Sequence, residues 1–390
     1  MTATRLLDGL SVDKSAVVTL NFNPYYRSLR SGLGDPVDVD GQEFINLTSN
    51  NYLGIAGSEE VKMAIMNGVV KYGASMCGTP IATGSVDAFS RLETRLARFV
   101  GLEDSTIFPS CYQANAGIFS TVAGKEDAIL FDHYAHASLV TGIRTVGCRA
   151  LAFRHNDTNH LESLLRRLPG CRRVFVVTES VFSTEGSIAP FKEIVRLCAE
   201  YEAIPVVDDS HGIGVIGKGG RGILEEQGIA GFQGIYTASL GKAIGNFGGM
   251  VAGSSNLVDY LRYACSSLIY STALPPAILL GIEKSLDIIE AEFPWRAERM
   301  WRYKRLISSR LQELGFSVLR GEAPITSVAC GELEATLHLA RELYSQKILA
   351  TPFVPPSVPP AMGRVRFIAA ADLRESTIQR ALSALAGVAP

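Results

Sequence analysis

From about residue 55 onward, short apolar runs alternate with stretches whose apolar positions recur at helical spacing. Six runs predict strands, over 105–108, 128–131, 174–178, 204–208, 234–239 and 249–252. They are nearly all apolar and rich in β-branched residues, as expected of strands covered on both faces rather than one. Between them, 191–201 places Ile194, Val195, Leu197 and Cys198 on a single helical face. This alternation predicts an α/β fold with a mostly parallel central sheet. A charged helical stretch over 295–310 leads out of that sheet, and the rest, with its Pro-rich segment at 352–360, reads as a smaller α+β domain. The expected division is an N-terminal segment, 1–54, that joins the smaller domain, a large domain over 55–290, and a small C-terminal domain over 291–390.

Size and charge narrow the class. A chain of 390 residues, 47% hydrophobic and 19% charged, buries a sizeable core without difficulty. The formal net charge is −2 and no basic block stands out, so nucleic acid and anionic membrane are not expected as partners. The seven cysteines are scattered and contain no CxxC pair, which argues against a disulfide framework or a zinc site and for a reducing compartment. The N-terminus lacks the apolar core of a signal peptide, and no apolar run is long enough to span a bilayer. The expected location is the cytoplasm.

In sheets of this kind ligands sit beyond the carboxyl ends of the strands, where five polar clusters fall: 110–112, 133–138, 179–183, 208–211 and 239–242. In Thr237-Ala238-Ser239-Leu240-Gly241-Lys242, a lysine follows an apolar strand among small residues. Glycines let backbone approach a bulky ligand, Ser239 can bind an anion, and a buried lysine amine becomes a nucleophile toward carbonyls. On its own, such a lysine is equally well an exposed loop residue. In Val207-Asp208-Asp209-Ser210-His211 an apolar strand ends in two carboxylates and an imidazole. A carboxylate at a buried strand tip needs a cation or a metal beside it. The protonated pyridine nitrogen of pyridoxal 5′-phosphate is one such partner; a divalent metal held by Asp208, Asp209 and His211 is the other. No further cluster completes a metal site, and Asp209 reads as structural. Of His133 and His136, the first reads as peripheral and the second as able to stack on an aromatic ring. Around Ser110-Cys111-Tyr112 a turn feeds a helix whose free N–H groups suit a phosphate. Cys111 there reads as a packing residue and Tyr112 as a cover.

Together these residues resemble the α-oxoamine synthases, pyridoxal-phosphate-dependent acyltransferases. The resemblance runs from about Asn21 to the C-terminus. It rests on Ser49-Asn50-Asn51-Tyr52-Leu53-Gly54, Ala135-His136-Ala137-Ser138, Thr178-Glu179-Ser180-Val181-Phe182-Ser183, Asp208-Asp209-Ser210-His211, Ser239-Leu240-Gly241-Lys242, Ile269-Tyr270-Ser271-Thr272-Ala273-Leu274-Pro275-Pro276 and Arg364-Val365-Arg366. It implies the fold of type I pyridoxal-phosphate transferases. It further implies that Lys242 holds the cofactor as a Schiff base and moves the α-proton, that Asp208 pairs with the ring nitrogen, that His211 bonds the phenolic oxygen, and that His136 stacks on the ring. The backbone of Cys111 and Tyr112 and the Ser239 hydroxyl would hold the phosphate, with Thr272 reaching in from a second subunit of a homodimer that shares its active sites. Glu179 and Ser183 would line the ring edge, Asn50 the substrate side, and Arg366 would clamp the amino-acid carboxylate.

The reaction implied is the decarboxylative condensation of a small amino acid with an acyl thioester, on coenzyme A or an acyl carrier protein, to an α-aminoketone. Two departures from the family pattern stand out: Gly78-Thr79-Pro80 where many relatives have Gly-Ser-Arg, and Cys111 where they have glycine. The strings Phe182-Ser183-Thr184-Glu185-Gly186-Ser187 and Thr237-Ala238-Ser239-Leu240 lean toward the autoinducer synthases of quorum sensing. The family also holds 8-amino-7-oxononanoate synthase, 2-amino-3-ketobutyrate ligase and serine palmitoyltransferase activities. An aminotransferase or aldolase of the same fold is the competing enzyme reading, and a cofactor-binding scaffold without catalysis the competing non-enzyme.

Overall fold

In β6 (Val174–Glu179) successive side chains go to opposite sides of the sheet. Phe175 and Val177 join one apolar cluster and Val176 another, and Val206 and Val207 of the neighbouring strand divide in the same way. A strand buried on both faces has no place for polar side chains along its length, so they collect at its end. The computed structural model describes residues 14–168 and 170–389; the first 13 residues of the expected N-terminal segment lie outside them.

In chain order the strands are β1 (Val37–Val39), β2 (Gln42–Asn46), β3 (Asp104–Phe108), β4 (Ala128–Asp132), β5 (Arg149–Phe153), β6, β7 (Ile204–Asp208), β8 (Ile235–Ser239), β9 (Gly249–Gly253), β10 (Thr326–Gly331), β11 (Ile348–Leu349), β12 (Thr351–Phe353) and β13 (Gly363–Phe367). Seven form the central sheet in the order β3-β9-β8-β7-β6-β4-β5. Strands β4 to β8 pair in parallel, and β9 runs antiparallel to both β8 and β3. The six strands expected from the sequence all form. The seventh, β5, was not anticipated: it lies at the sheet edge and buries only Phe153 fully, so it carries no apolar run.

From β4 the chain moves outward to β5 and then crosses back to β6 on the other side of β4. At such a reversal the connections diverge and leave a crevice beyond the strand ends. Helices Cys111–Val122, Ala137–Val146 and Ser255–Ala264 cover one face; Asp87–Val100, Phe191–Glu200 and the first part of Pro276–Glu313 cover the other.

The 38-residue helix Pro276–Glu313 passes through two cores. Leu279, Ile282, Leu286 and Ile289 pack with the central sheet, whereas Tyr303, Ile307 and Leu311 pack with two three-stranded sheets, β1-β2-β11 and β10-β13-β12. The boundary expected at 290 falls inside this helix. Because β2 pairs in parallel with β11, residues 42–46 extend a C-terminal sheet. Among the described residues no helix is long and apolar enough to cross a membrane.

Candidate active site

A cavity of about 320 Å³ opens at the carboxyl ends of β4, β6, β7 and β8. Cys111, Tyr112, His136, Glu179, Asp208, His211, Ser239 and Lys242, eight of the positions singled out in the sequence, line it together. Asn50, Ser183, Thr272 and Arg366 are not among its walls. Arg366 is buried and close enough to Tyr52, His211 and Lys242 to act on them electrostatically, while Thr272 is exposed.

Asp208 ends β7 as a buried carboxylate without an ion-pair partner among the described residues. Its Oδ2 accepts from Asn115 Nδ2 at 2.6 Å and its Oδ1 from the Ser210 N–H at 3.0 Å. The same Asn115 amide donates to Ser138 Oγ at 3.0 Å, and its Oδ1 accepts from Thr237 at 2.8 Å. Ser138 Oγ in turn lies 2.7 Å from His136 Nδ1. Asn115 therefore orients both the Asp208 carboxylate and the Ser138 hydroxyl that lies beside His136. It was missed in the sequence because it sits mid-helix, 93 residues from Asp208, with nothing local to mark it.

Tyr52 was quoted in a motif but given no role. Its fully buried hydroxyl lies 2.8 Å from His211 Nδ1. Burial, reinforced by the Lys242 charge, holds His211 well below the usual imidazole range, and burial raises the Tyr52 phenol. Both are therefore neutral at pH 7. Burial likewise lowers His136 and the Lys242 amine, and raises Glu179 well above the carboxylate range, with Asp208 adding to that rise. The Lys242 backbone carbonyl accepts from the Gly245 N–H at 2.8 Å, but its side-chain amine has no hydrogen-bond or ion-pair partner among the described residues.

At the other wall the Ser110 hydroxyl caps the Cys111–Val122 helix by accepting from the Gln113 N–H at 3.1 Å. The Cys111 and Tyr112 N–H groups are left without intrahelical partners, facing the cavity beside Ser239. Only glycine fits at Gly249, where a Cβ would stand 2.3 Å from the Cys111 nitrogen. Burial pushes the Cys111 thiol up, and Ser210 donates to its sulfur at 3.4 Å, so it packs rather than attacks. Asp209 turns away from the cavity, accepting from Tyr236 at 2.7 Å and the Ile223 N–H at 3.0 Å.

A carboxylate awaiting a cation, a free lysine amine facing it, a neutral imidazole and an anion-ready helix start fit pyridoxal phosphate. Outside the cavity walls, Arg366 Nη1 donates to the Ser183 carbonyl at 3.0 Å, while Arg366 Nε and Asn50 Oδ1 are buried with no partner among the described residues.

Comparison with known proteins agrees with this geometry. Residues 42–385 match the family model of class I and II aminotransferases. The chain is 37% identical over 367 residues to the 8-amino-7-oxononanoate synthase of Geobacter sulfurreducens, covering 93% of this chain and 94% of that one. It is 34% identical over 351 residues to that of Symbiobacterium thermophilum, covering 90% and 89%. Among solved structures, serine palmitoyltransferase from S. paucimobilis with a bound PLP–myriocin aldimine superposes with a TM-score of 0.93 at 26% identity, covering 99% and 98%. These likenesses lend no support to the leaning toward autoinducer synthases.

Proposed function

The chain belongs to the α-oxoamine synthases, pyridoxal-phosphate-dependent acyltransferases of the class I and II aminotransferase family, and on that premise we propose how its residues divide the reaction and which substrates they take. The observation that carries the reading is the unpaired Lys242 amine across one cavity from the uncompensated Asp208 carboxylate.

Lys242 would hold the cofactor and, once the amino acid is bound, would take the α-proton with its amine, whose proton affinity burial lowers. Asp208, fixed by Asn115 and Ser210, faces the ring nitrogen. With Tyr52 donating to its Nδ1, His211 carries its proton on Nε2 and presents it to the phenolic oxygen. His136 would stack on the ring, and Glu179 and Ser183 would border its edge. The Cys111 and Tyr112 N–H groups and the Ser239 hydroxyl hold the phosphate. The cofactor, once bound, supplies an electron-withdrawing ring that accepts the electron pair released at the α-carbon. Arg366, with its unpaired Nε, takes the substrate carboxylate until it leaves as carbon dioxide, and Asn50, whose buried Oδ1 can only accept, lines the substrate side; a new carbon–carbon bond to the acyl group releases the thiol.

The name shared by the curated relatives suggests the substrates. By this reaction, 8-amino-7-oxononanoate divides into alanine without its carboxylate and a seven-carbon dicarboxylic acyl group. We take that pair as this chain's substrates. Titrating the holoenzyme with alanine, glycine, serine and 2-aminobutyrate while following the visible spectrum, then adding acyl-CoAs of graded length, tests it. Thiol release should require an amino acid and be fastest with alanine and the seven-carbon acyl group bearing a terminal carboxylate. Turnover with a keto acid and no thioester would instead identify an aminotransferase.

A homodimer completes the site in this reading, with Thr272 reaching the partner's phosphate. Thr272 is exposed and absent from its own cavity. Helix Glu59–Tyr72 also exposes Met63, Met66 and Val70, which share one face, and Tyr270 is 85% exposed nearby in sequence. A fully active monomer in sedimentation would overturn this part.

A further inference from the structure

We propose that His155 is a positioning residue for the amino-acid substrate: through Ser187 it latches the loop at 182–187 whose Ser183 carbonyl holds Arg366. The inference rests on the reading of Arg366 as the carboxylate clamp.

His155 follows the edge strand β5 and is not a wall of the cavity, yet its ring is fixed on every side. Asp132, fully buried at the tip of β4, accepts the N–H groups of Tyr134 at 2.8 Å and Asn156 at 2.9 Å, and its Oδ1 lies 3.0 Å from His155 Nδ1. A carboxylate only accepts, so His155 Nδ1 carries a proton there. Tyr134 stacks on the imidazole at 4.5 Å between centroids, and Phe182 meets it edge-on at 4.3 Å. Nε2 is thereby aimed at Ser187 Oγ, 3.0 Å away.

Ser187 stands on the inner side of a loop whose outer side is held by the C-terminal sheet. The Ser183 carbonyl accepts from Arg366 at 3.0 Å, the Thr184 carbonyl from Ser327 at 2.7 Å, and the Gly186 carbonyl from the Ala323 N–H at 2.8 Å. Glu185 links the two sides, accepting from Ser187 at 2.8 Å and pairing with Arg364 at 3.2 Å. The Ser183 carbonyl is the one hydrogen-bond partner of the Arg366 guanidinium among the described residues; the guanidinium lies 4.9 Å over the Phe353 ring, and its Nε is unpaired. A shift of the loop therefore moves the single acceptor that orients the guanidinium. The path from His155 to Arg366 is two hydrogen bonds, at Ser187 Oγ and at the Ser183 carbonyl, joined by four peptide links.

The test uses holoenzyme variants His155→Ala, Ser187→Ala, Arg366→Ala and the double variant His155→Ala/Arg366→Ala. Amino-acid affinity is read from the visible spectrum and cofactor affinity from equilibrium dialysis. His155→Ala and Ser187→Ala should each weaken amino-acid binding roughly tenfold, the loss expected for one hydrogen bond, with cofactor affinity unchanged. The double variant should bind no worse than Arg366→Ala alone, because the latch acts only through that arginine. Additive losses in the double variant, equal losses of cofactor and amino acid, or unchanged amino-acid binding in Ser187→Ala would each overturn the latch. If His155→Ala does not fold, Ser187→Ala carries the test. Unchanged amino-acid affinity in Arg366→Ala would overturn the clamp reading together with the latch; weakened binding there beside unaffected latch variants would overturn the latch alone.

Discussion

The Asp208 side of the candidate site and the Arg366 side, outside the cavity walls, are held in different ways. At the Asp208 end, Asn115, Ser138, Thr237 and Ser210 join the carboxylate in one connected network, and Tyr52 bonds His211 beside it. At the Arg366 end, the guanidinium comes from β13 in the second core, donates to one carbonyl and lies over one ring, and its buried Nε is unsatisfied. A buried polar group without a partner costs about 1–3 kcal/mol. The network end is suited to a resident group that stays through every cycle. The unsatisfied end is suited to a ligand that arrives and departs, since the atoms it must bond are already desolvated and aimed.

The largest effect should come where the two ends meet. Lys242→Ala should lower turnover by about 10³-fold or more, and borohydride should no longer fix cofactor mass to the protein. A retained mass tag at the same site would refute the assignment. Next, Asn115→Ala leaves Asp208 and Ser138 short of a donor and should weaken cofactor binding by about 2 kcal/mol, the scale of a hydrogen bond to a charged group. Thr237→Val, which frees only the Asn115 carbonyl oxygen, should show a smaller loss in the same dialysis measurement. Arg366→Lys should do the reverse, weakening amino-acid binding by about 1–2 kcal/mol with cofactor binding intact, because an ammonium cannot reproduce the two-point contact of a guanidinium. If Asn115→Ala and Arg366→Lys gave the same pattern of losses, the contrast between the ends would be wrong.

The smallest effect concerns a neighbour outside the cavity. Burial raises the Asp209 carboxyl to about 7. Its folded-state pKa thus lies above the unfolded value, so the folded chain binds more protons and stability falls as pH rises from about 4 to about 7. Asp209→Asn keeps an acceptor for Tyr236 and the Ile223 N–H but cannot ionise. Denaturant midpoints of the variant should therefore fall less than those of the parent between pH 5 and pH 7, by on the order of 1 kcal/mol per pH unit. Equal slopes would show that Asp209 ionises freely in the folded protein.

How far the sequence could be read depended on how local the signal was. Strands β6 to β8 announce themselves because double burial demands unbroken apolar runs, and Asp208 and Lys242 stand out as the polar residues that end or follow such runs. β5 is invisible by the same rule, since an edge strand with one fully buried side chain has no such demand. His155 passed unnoticed with it. Tyr52 stands 159 residues from His211 and Asn115 stands 93 from Asp208, and nothing in their own neighbourhoods distinguishes them from packing residues.

The sequence by itself therefore determined the double-faced sheet and the five polar tips, Lys242 among them, because each follows from burial periodicity and from what a polar group does at the end of a buried strand. Only the tertiary structure decided which distant side chains aim those groups. An amide or a hydroxyl becomes an orienting partner solely through direction and distance, and those are set by how helices and loops dock on the sheet, not by the order of residues along any one of them.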